Sequence, residues 1–222
     1  MHELISYLLN PVSGPNKKPN FKYFLFLFFI GILASVALGA IGPILFTHFH
    51  LIKSISVGIT WQNKILFGVI IAPIVEEIIF RSLLRFKIIN IILFSITITV
   101  YSILAAYHSK LGNFIFGFII LVSLITLLTC IPIHKIELYF SSKFKWFFYG
   151  TTLIFGLIHI FNYSGNIYIL MAFSLIITSP QIVGGLILGY VRMNYGLIYS
   201  ILFHISKNAF ILFILSRILY YF

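Results

Sequence analysis

Two adjacent glutamates interrupt a run otherwise built for hydrocarbon, Ala72-Pro73-Ile74-Val75-Glu76-Glu77-Ile78-Ile79-Phe80-Arg81. The whole chain has four acidic residues, so half of them fall at this one point. A charge at the centre of a bilayer costs about 2.5–3.5 kcal/mol even on the milder insertion scales, and such residues usually mark function. On a helix, Glu77 and Arg81 are i,i+4 with the acid first, the favourable order for an intrahelical ion pair. Glu76 is about 100° around the helix from Glu77 and faces elsewhere. The expectation is that Glu77 is paired with Arg81 and Glu76 is free for chemistry. A purely structural Glu–Arg pair at the membrane edge would account for Glu77 and Arg81 but leave Glu76 unexplained.

Two histidines also lie inside apolar segments. His159 follows Phe155 by four positions, and His204 precedes Asn208 by four, so His204 and Asn208 project from one helical face. A lone membrane histidine is more often a helix–helix hydrogen-bond partner than a catalyst. Glu, His, His and Asn on three helices make a set suited to peptide hydrolysis. A carboxylate in a low-dielectric site can take a proton from water as general base, and a neutral histidine can orient that water. A second histidine with an amide can donate to an oxyanion where such donors are worth most. Glu/His/His is also a zinc ligand set. No His-Glu-x-x-His is present, so zinc is allowed but not favoured, and no other cofactor is indicated.

The elements that must hold these residues are membrane helices. Of 222 residues, 61% are apolar and 9% charged, and the mean hydropathy is +1.11. Soluble domains carry about 25% charged residues. The expectation is an all-α, polytopic helical bundle with about eight spans near 23–46, 65–85, 89–107, 113–133, 146–162, 167–178, 181–191 and 196–216. The sixth and seventh are short, interrupted at Ser179-Pro180. Residues 1–22 read as an N-terminal interfacial segment and 23–222 as a single transmembrane domain. The run Phe21 to Phe46 is too long for a signal h-region and is expected to stay as the first span. The lone Cys130 allows no internal disulfide.

The net charge of +11 is carried by short segments between apolar runs, so the partner it implies is anionic membrane lipid, not nucleic acid. Lys17, Lys18, Lys22, Arg81, Arg85, Lys87, Lys135, Lys143, Lys145 and Arg217 fall on one side of the expected topology. Lys53, Lys64, Lys110 and Arg192 fall on the other. This asymmetry places both termini in the cytoplasm. The Ile/Lys/Asn-rich composition points to a bacterial cell membrane. His48, His50, His108 and His134 sit in loops or at span ends and read as surface or interfacial residues.

Glu76-Glu77-x-x-x-Arg81, Phe155-x-x-x-His159 and His204-x-x-x-Asn208, in that order on apolar helices, resemble the three motifs of the CPBP intramembrane proteases. That family includes the eukaryotic CaaX prenyl endopeptidases and bacterial bacteriocin-processing and immunity proteins. The resemblance covers roughly residues 65–215. It implies that Glu76 and His159 activate water, that His204 and Asn208 stabilise the oxyanion, and that Glu77 and Arg81 support the site. Both metal-dependent and metal-free glutamate mechanisms are compatible with it.

The chain departs from the pattern in three places. Ser82 follows the motif arginine where relatives often have glycine. The interval from Glu76 to His159 is long enough to hold an apparent two-helix insertion near 88–135. Lys207 lies between His204 and Asn208. The implied function is an intramembrane endopeptidase acting on a peptide or membrane-protein substrate. The rivals are a non-catalytic immunity or regulatory partner, and a transporter, which the lack of an inverted repeat disfavours. Nothing in the pattern specifies an oligomeric state.

Overall fold

Runs of Leu, Ile and Phe without polar side chains have one way to satisfy their backbones in hydrocarbon, which is to hydrogen-bond within the segment as helices. The computed structural model, which describes residues 2–14, 17, 18, 20–55, 60–107 and 111–215, is accordingly all-α, with one short β-ladder. His108, Lys110 and Arg217 lie outside the described residues, as does the side chain of Cys130. The principal helices are α1 (His2–Leu9), α2 (Phe21–Gly39), α3 (Ala72–Arg81), α4 (Ile88–Tyr107), α5 (Leu111–Cys130), α6 (Ile133–Ser142), α7 (Phe144–Ile158), α8 (Ser179–Tyr195) and α9 (Leu197–Phe210). Strand β1 (Ile52–Ser54) pairs antiparallel with β2 (Tyr163–Gly165), Ile52 opposite Gly165 and Ser54 opposite Tyr163.

Helix α8 is the centre of the molecule, packed against α2, α7 and α9, with every residue from Ile187 to Tyr195 buried. Pro180 sits in its first turn, where a missing N–H costs nothing. Gly196 ends it at φ 111°, a conformation that strains any residue with a Cβ, and turns the chain straight back into α9. Leu27, Leu188, Tyr190 and Phe203 form the innermost core. The N-terminal segment belongs to this core. Leu4 is buried, Tyr7 packs edge-on to Phe148 and Tyr190, and the Lys17 amide donates to the Asn194 carbonyl at 2.6 Å.

Two described helices are long and apolar enough to cross a bilayer, Phe21–Gly39 and Phe144–Asn162, with shorter apolar helices at Ile88–Leu104 and Leu197–Phe213. The expected count of eight spans is therefore not shown by the described residues. The expected span 65–85 is a composite of a π-helical stretch, Lys64–Ile71, then α3, then a 3-10 turn, Ser82–Leu84. The expected span 167–178 divides into Ile167–Ala172 and Ser174–Ile177, because Phe173 leaves helical geometry.

This short pair does not traverse the bundle. It stays beside the end of α2, with Phe46 against Phe173 and Gly42 against the Ile176 carbonyl. Helix α8 is correspondingly longer than expected, and its C-terminal end lies among residues of the N-terminal segment. One consequence is that Arg192 is not on the side opposite Arg81. Arg192 is buried, and its Nε donates to the Arg81 carbonyl at 2.9 Å. A second consequence concerns the two ends of the described chain. Helix α1 packs at the Tyr190 end of α8, whereas Phe213 packs on Trp61 at the start of the helix that leads to α3. With one expected crossing lost, the two ends of the described chain lie at opposite ends of the bundle.

The helices of the expected insertion, α4 and α5, pack on each other and return the chain to the end it left. There Phe86, Ile91 and Ile136 form a small cluster that ties the turn after α3 to α6.

Candidate active site

Helix α3 packs against both α7 and α9, which brings together residues more than 120 positions apart in sequence. Glu76 and Glu77 diverge as their adjacent helical positions require. Glu77 is fully buried, while the Glu76 side chain keeps 26% of its surface exposed.

Glu77 does not form the expected contact pair with Arg81. Its Oε2 accepts from the Ser200 hydroxyl at 2.5 Å, and its Oε1 lies 3.1 Å from His204 Nδ1. Arg81, also fully buried, instead lays its guanidinium over the Phe155 ring, 4.3 Å from the centroid, and donates to the Gly185 carbonyl at 3.3 Å. An i,i+4 pair needs both side chains turned along their own helix. The tertiary partners on α8 and α9 draw them apart, leaving a charge interaction without a direct bond.

Glu76 meets both histidines. Its Oε1 is 3.9 Å from His159 Nε2 and its Oε2 is 3.8 Å from His204 Nε2. The other ring nitrogens are committed. His159 Nδ1 lies 2.7 Å from the Phe155 carbonyl, an acceptor only, so Nδ1 carries the proton. His204 Nδ1 is held in the same way by the Glu77 carboxylate. Both rings therefore turn Nε2 toward Glu76. His159 is fixed further by its place at the end of α7, where a 3-10 turn, His159–Asn162, leads directly into β2 and its pairing with β1.

The remaining expected residue, Asn208, has its amide nitrogen 3.0 Å from the Gly68 carbonyl in the π-helical stretch. Lys207 is buried against Gly184, where an added Cβ would come within 2.6 Å of Nζ, and it interacts electrostatically with Glu77. Two further residues hold these side chains in place, Ser200 beside Glu77 and Arg192 at the end of α3. Ser200 precedes His204 by four residues and so shares its face, a signal that the helical period contained. Arg192 gave no such signal, since its carbonyl partners belong to another helix.

The 3.8–3.9 Å separations exceed direct hydrogen-bond length, yet a water bonded at about 2.8 Å to each side fits between such groups. Tetrahedral zinc, with bonds of about 2.0–2.1 Å, would hold its ligand atoms closer, at about 3.3 Å. Among the described residues no group of three or more His, Cys, Asp or Glu has metal-holding geometry.

A scan against protein-family models matches residues 59–210 to the family described as Type II CAAX prenyl endopeptidase Rce1-like. Searches among curated proteins and among solved structures find no match.

Proposed function

Because the chain belongs to the Type II CAAX prenyl endopeptidase Rce1-like family, we propose that it is an intramembrane endopeptidase in which Glu76 activates water against a peptide carbonyl. The observation that carries this reading is the position of the Glu76 carboxylate between the Nε2 atoms of His159 and His204. Glu76 takes a proton from the water as its oxygen adds to the carbonyl carbon. His159, with its tautomer set by the Phe155 carbonyl, accepts a hydrogen bond from the water and orients it. His204 carrying two protons donates from Nε2 to the oxyanion, and Glu77 compensates its charge, so this pair acts as a fixed electrostatic unit. Asn208 contributes a further amide hydrogen on the same face. The proton on Glu76 then passes to the leaving nitrogen as the C–N bond breaks, releasing a carboxylic acid and an amine, and the acid's proton ends on the amine to give carboxylate and ammonium. No step requires a cofactor.

The substrate is a peptide or membrane-protein segment able to enter a helical bundle. The surface around the site supports membrane residence: Phe29, Leu33, Ile96, Ile103, Ile154 and Leu202 are exposed along the helices, which in water would be a heavy penalty. We place the multi-pass bundle in a bacterial cell membrane with its N-terminal segment, Arg85 and Lys87 facing the cytoplasm. Residues 23–222 act as one domain, in which α4 and α5 are a hairpin insertion that leaves the motif helices in register.

The test is turnover of a peptide substrate found by screening. Glu76→Gln is nearly isosteric and should lower kcat by about 10²–10⁴-fold, the usual contribution of a general base, while the protein inserts and purifies as before. Wild-type turnover by that variant would overturn the assignment. Chelation in the same preparation should leave activity intact; zinc bound stoichiometrically and lost on mutating His159 or His204 would require a metal-held water instead.

A further inference from the structure

A second polar site lies away from the Glu76 cluster, at the end of the bundle that holds the N-terminal segment. A cavity of about 230 Å³ is walled by Ser13 and Gly14 on one side, by the turn after α3 on another, and by α6 and the start of α7 on the third. Its charged lining is Arg85, Lys87 and Glu137, with the hydroxyl residues Ser13 and Ser141; its apolar lining includes Phe86, Phe140 and Phe144.

The charges in this cavity are not consumed by one another. Among the described residues neither Arg85 nor Lys87 forms an ion pair with Glu137. Arg85 Nη2 is held by the Gly14 and Met193 carbonyls at 2.5 and 2.6 Å, while its Nε is buried without a hydrogen-bond partner. A buried donor left unpaired is costly, and two cations against one acid leave the lining net positive. The lining therefore lacks a negatively charged acceptor with an apolar continuation. The surroundings say where that group comes from. Helix α6 and the first turn of α7 expose Leu138, Tyr139 and Trp146 beside Lys135, Lys143 and Lys145, the composition of a segment lying in a membrane interface. The cavity is smaller than a drug-sized pocket but sufficient for a headgroup whose chains run out along the aromatic wall.

We propose that this cavity is a binding site for the phosphodiester headgroup of an anionic glycerophospholipid. Arg85 and Lys87 hold the phosphate, the Ser13 hydroxyl donates to it, and Glu137 at the opposite wall accepts from headgroup hydroxyls. The bound lipid joins the N-terminal segment, the turn after α3 and α6, and so steadies the end of the helix that carries Glu76 and Glu77.

The experiment is native mass spectrometry of the purified full chain in detergent, with phosphatidylglycerol and phosphatidylcholine competing. Phosphatidylglycerol should be retained in clear preference. Lys87→Gln should weaken its retention about five-fold, the share of one basic residue at a membrane surface, and Glu137→Gln should strengthen it. Both substitutions leave the structural bonds of Arg85 untouched, so the fold survives them. Added glycerol 3-phosphate separates the two sources of phosphate: displacement of the lipid only at large excess supports the lipid, and retention in preference to the lipid overturns it. Equal retention of both lipids, or retention unchanged in both variants, also overturns the proposal.

Discussion

Glu76 and Glu77 differ by one position and by almost everything else. Glu77 is sealed from solvent and spends both oxygens on neighbours, Ser200 and His204, so its task is to hold a ring. Glu76 remains partly exposed between two Nε2 atoms. Under the proposed mechanism Ser200 is a positioning residue, and its removal is informative. Hydrogen bonds to charged groups are worth about 1.5–3 kcal/mol. If that falls on the transition state, Ser200→Ala lowers kcat by about 10–100-fold with KM nearly unchanged. A parallel rise in KM, or a loss explained by a lower thermal midpoint, would make Ser200 a packing residue only.

Helix α8 comes closest to its neighbours where it carries glycine, at positions 184, 185 and 189. At Gly185 an added Cβ would lie 2.9 Å from Phe155 Cδ1 and 3.0 Å from Arg81 Nη2. Neither neighbour has room, since the Arg81 guanidinium is itself stacked on Phe155. Gly185→Ala should therefore destabilise the protein by about 1–3 kcal/mol, the usual range for overpacking a filled core. Gly150 in α7 is the control, because a Cβ there meets nothing within 4 Å. Gly150→Ala should be neutral or stabilising by up to about 1 kcal/mol through helix propensity. Thermal unfolding in detergent measures both, and equal effects at the two positions would show that α8 is not packed this closely. Arg192 also acts at the C-terminal end of α3, where its guanidinium donates to the carbonyls of Arg81 and Ser82 that the helix end leaves open.

Across the whole molecule, the helical pair at 167–177 decides the topology. Because it folds back beside α2 and does not traverse the bundle, the N-terminal segment and the last described residues come to lie at opposite ends. The same change moves Arg192 to the end that already holds Lys17 and Arg85, which sharpens the charge asymmetry between the two faces. Labelling can follow this directly. With Cys130, the lone cysteine, replaced by serine, cysteines at positions 17 and 53 should react from opposite sides of the membrane. A reporter fused to the C-terminus should share the side of position 53. A reporter on the side of position 17 would restore a topology with both termini together.

Residue chemistry was readable without coordinates where it depends on local period and on the cost of charge in hydrocarbon. Those two rules alone single out Glu76, Glu77, His159 and His204, because a helix repeats every 3.6 residues and a membrane tolerates few ionisable groups. They also make the chain helical and apolar throughout. Partner choice and crossing number were not readable in the same way. Glu77 satisfies the i,i+4 rule with Arg81, yet His204 and Ser200 reach it across the helix interface. Residues 167–177 are apolar enough to suggest a span but break at Phe173 and fold back on α2. In both cases the local pattern permits two outcomes, and contacts between distant segments select one. Those contacts join segments far apart in sequence, as Glu77 meets Ser200 and His204 and as Gly42 admits the Ile176 carbonyl, so the choice belongs to the tertiary structure.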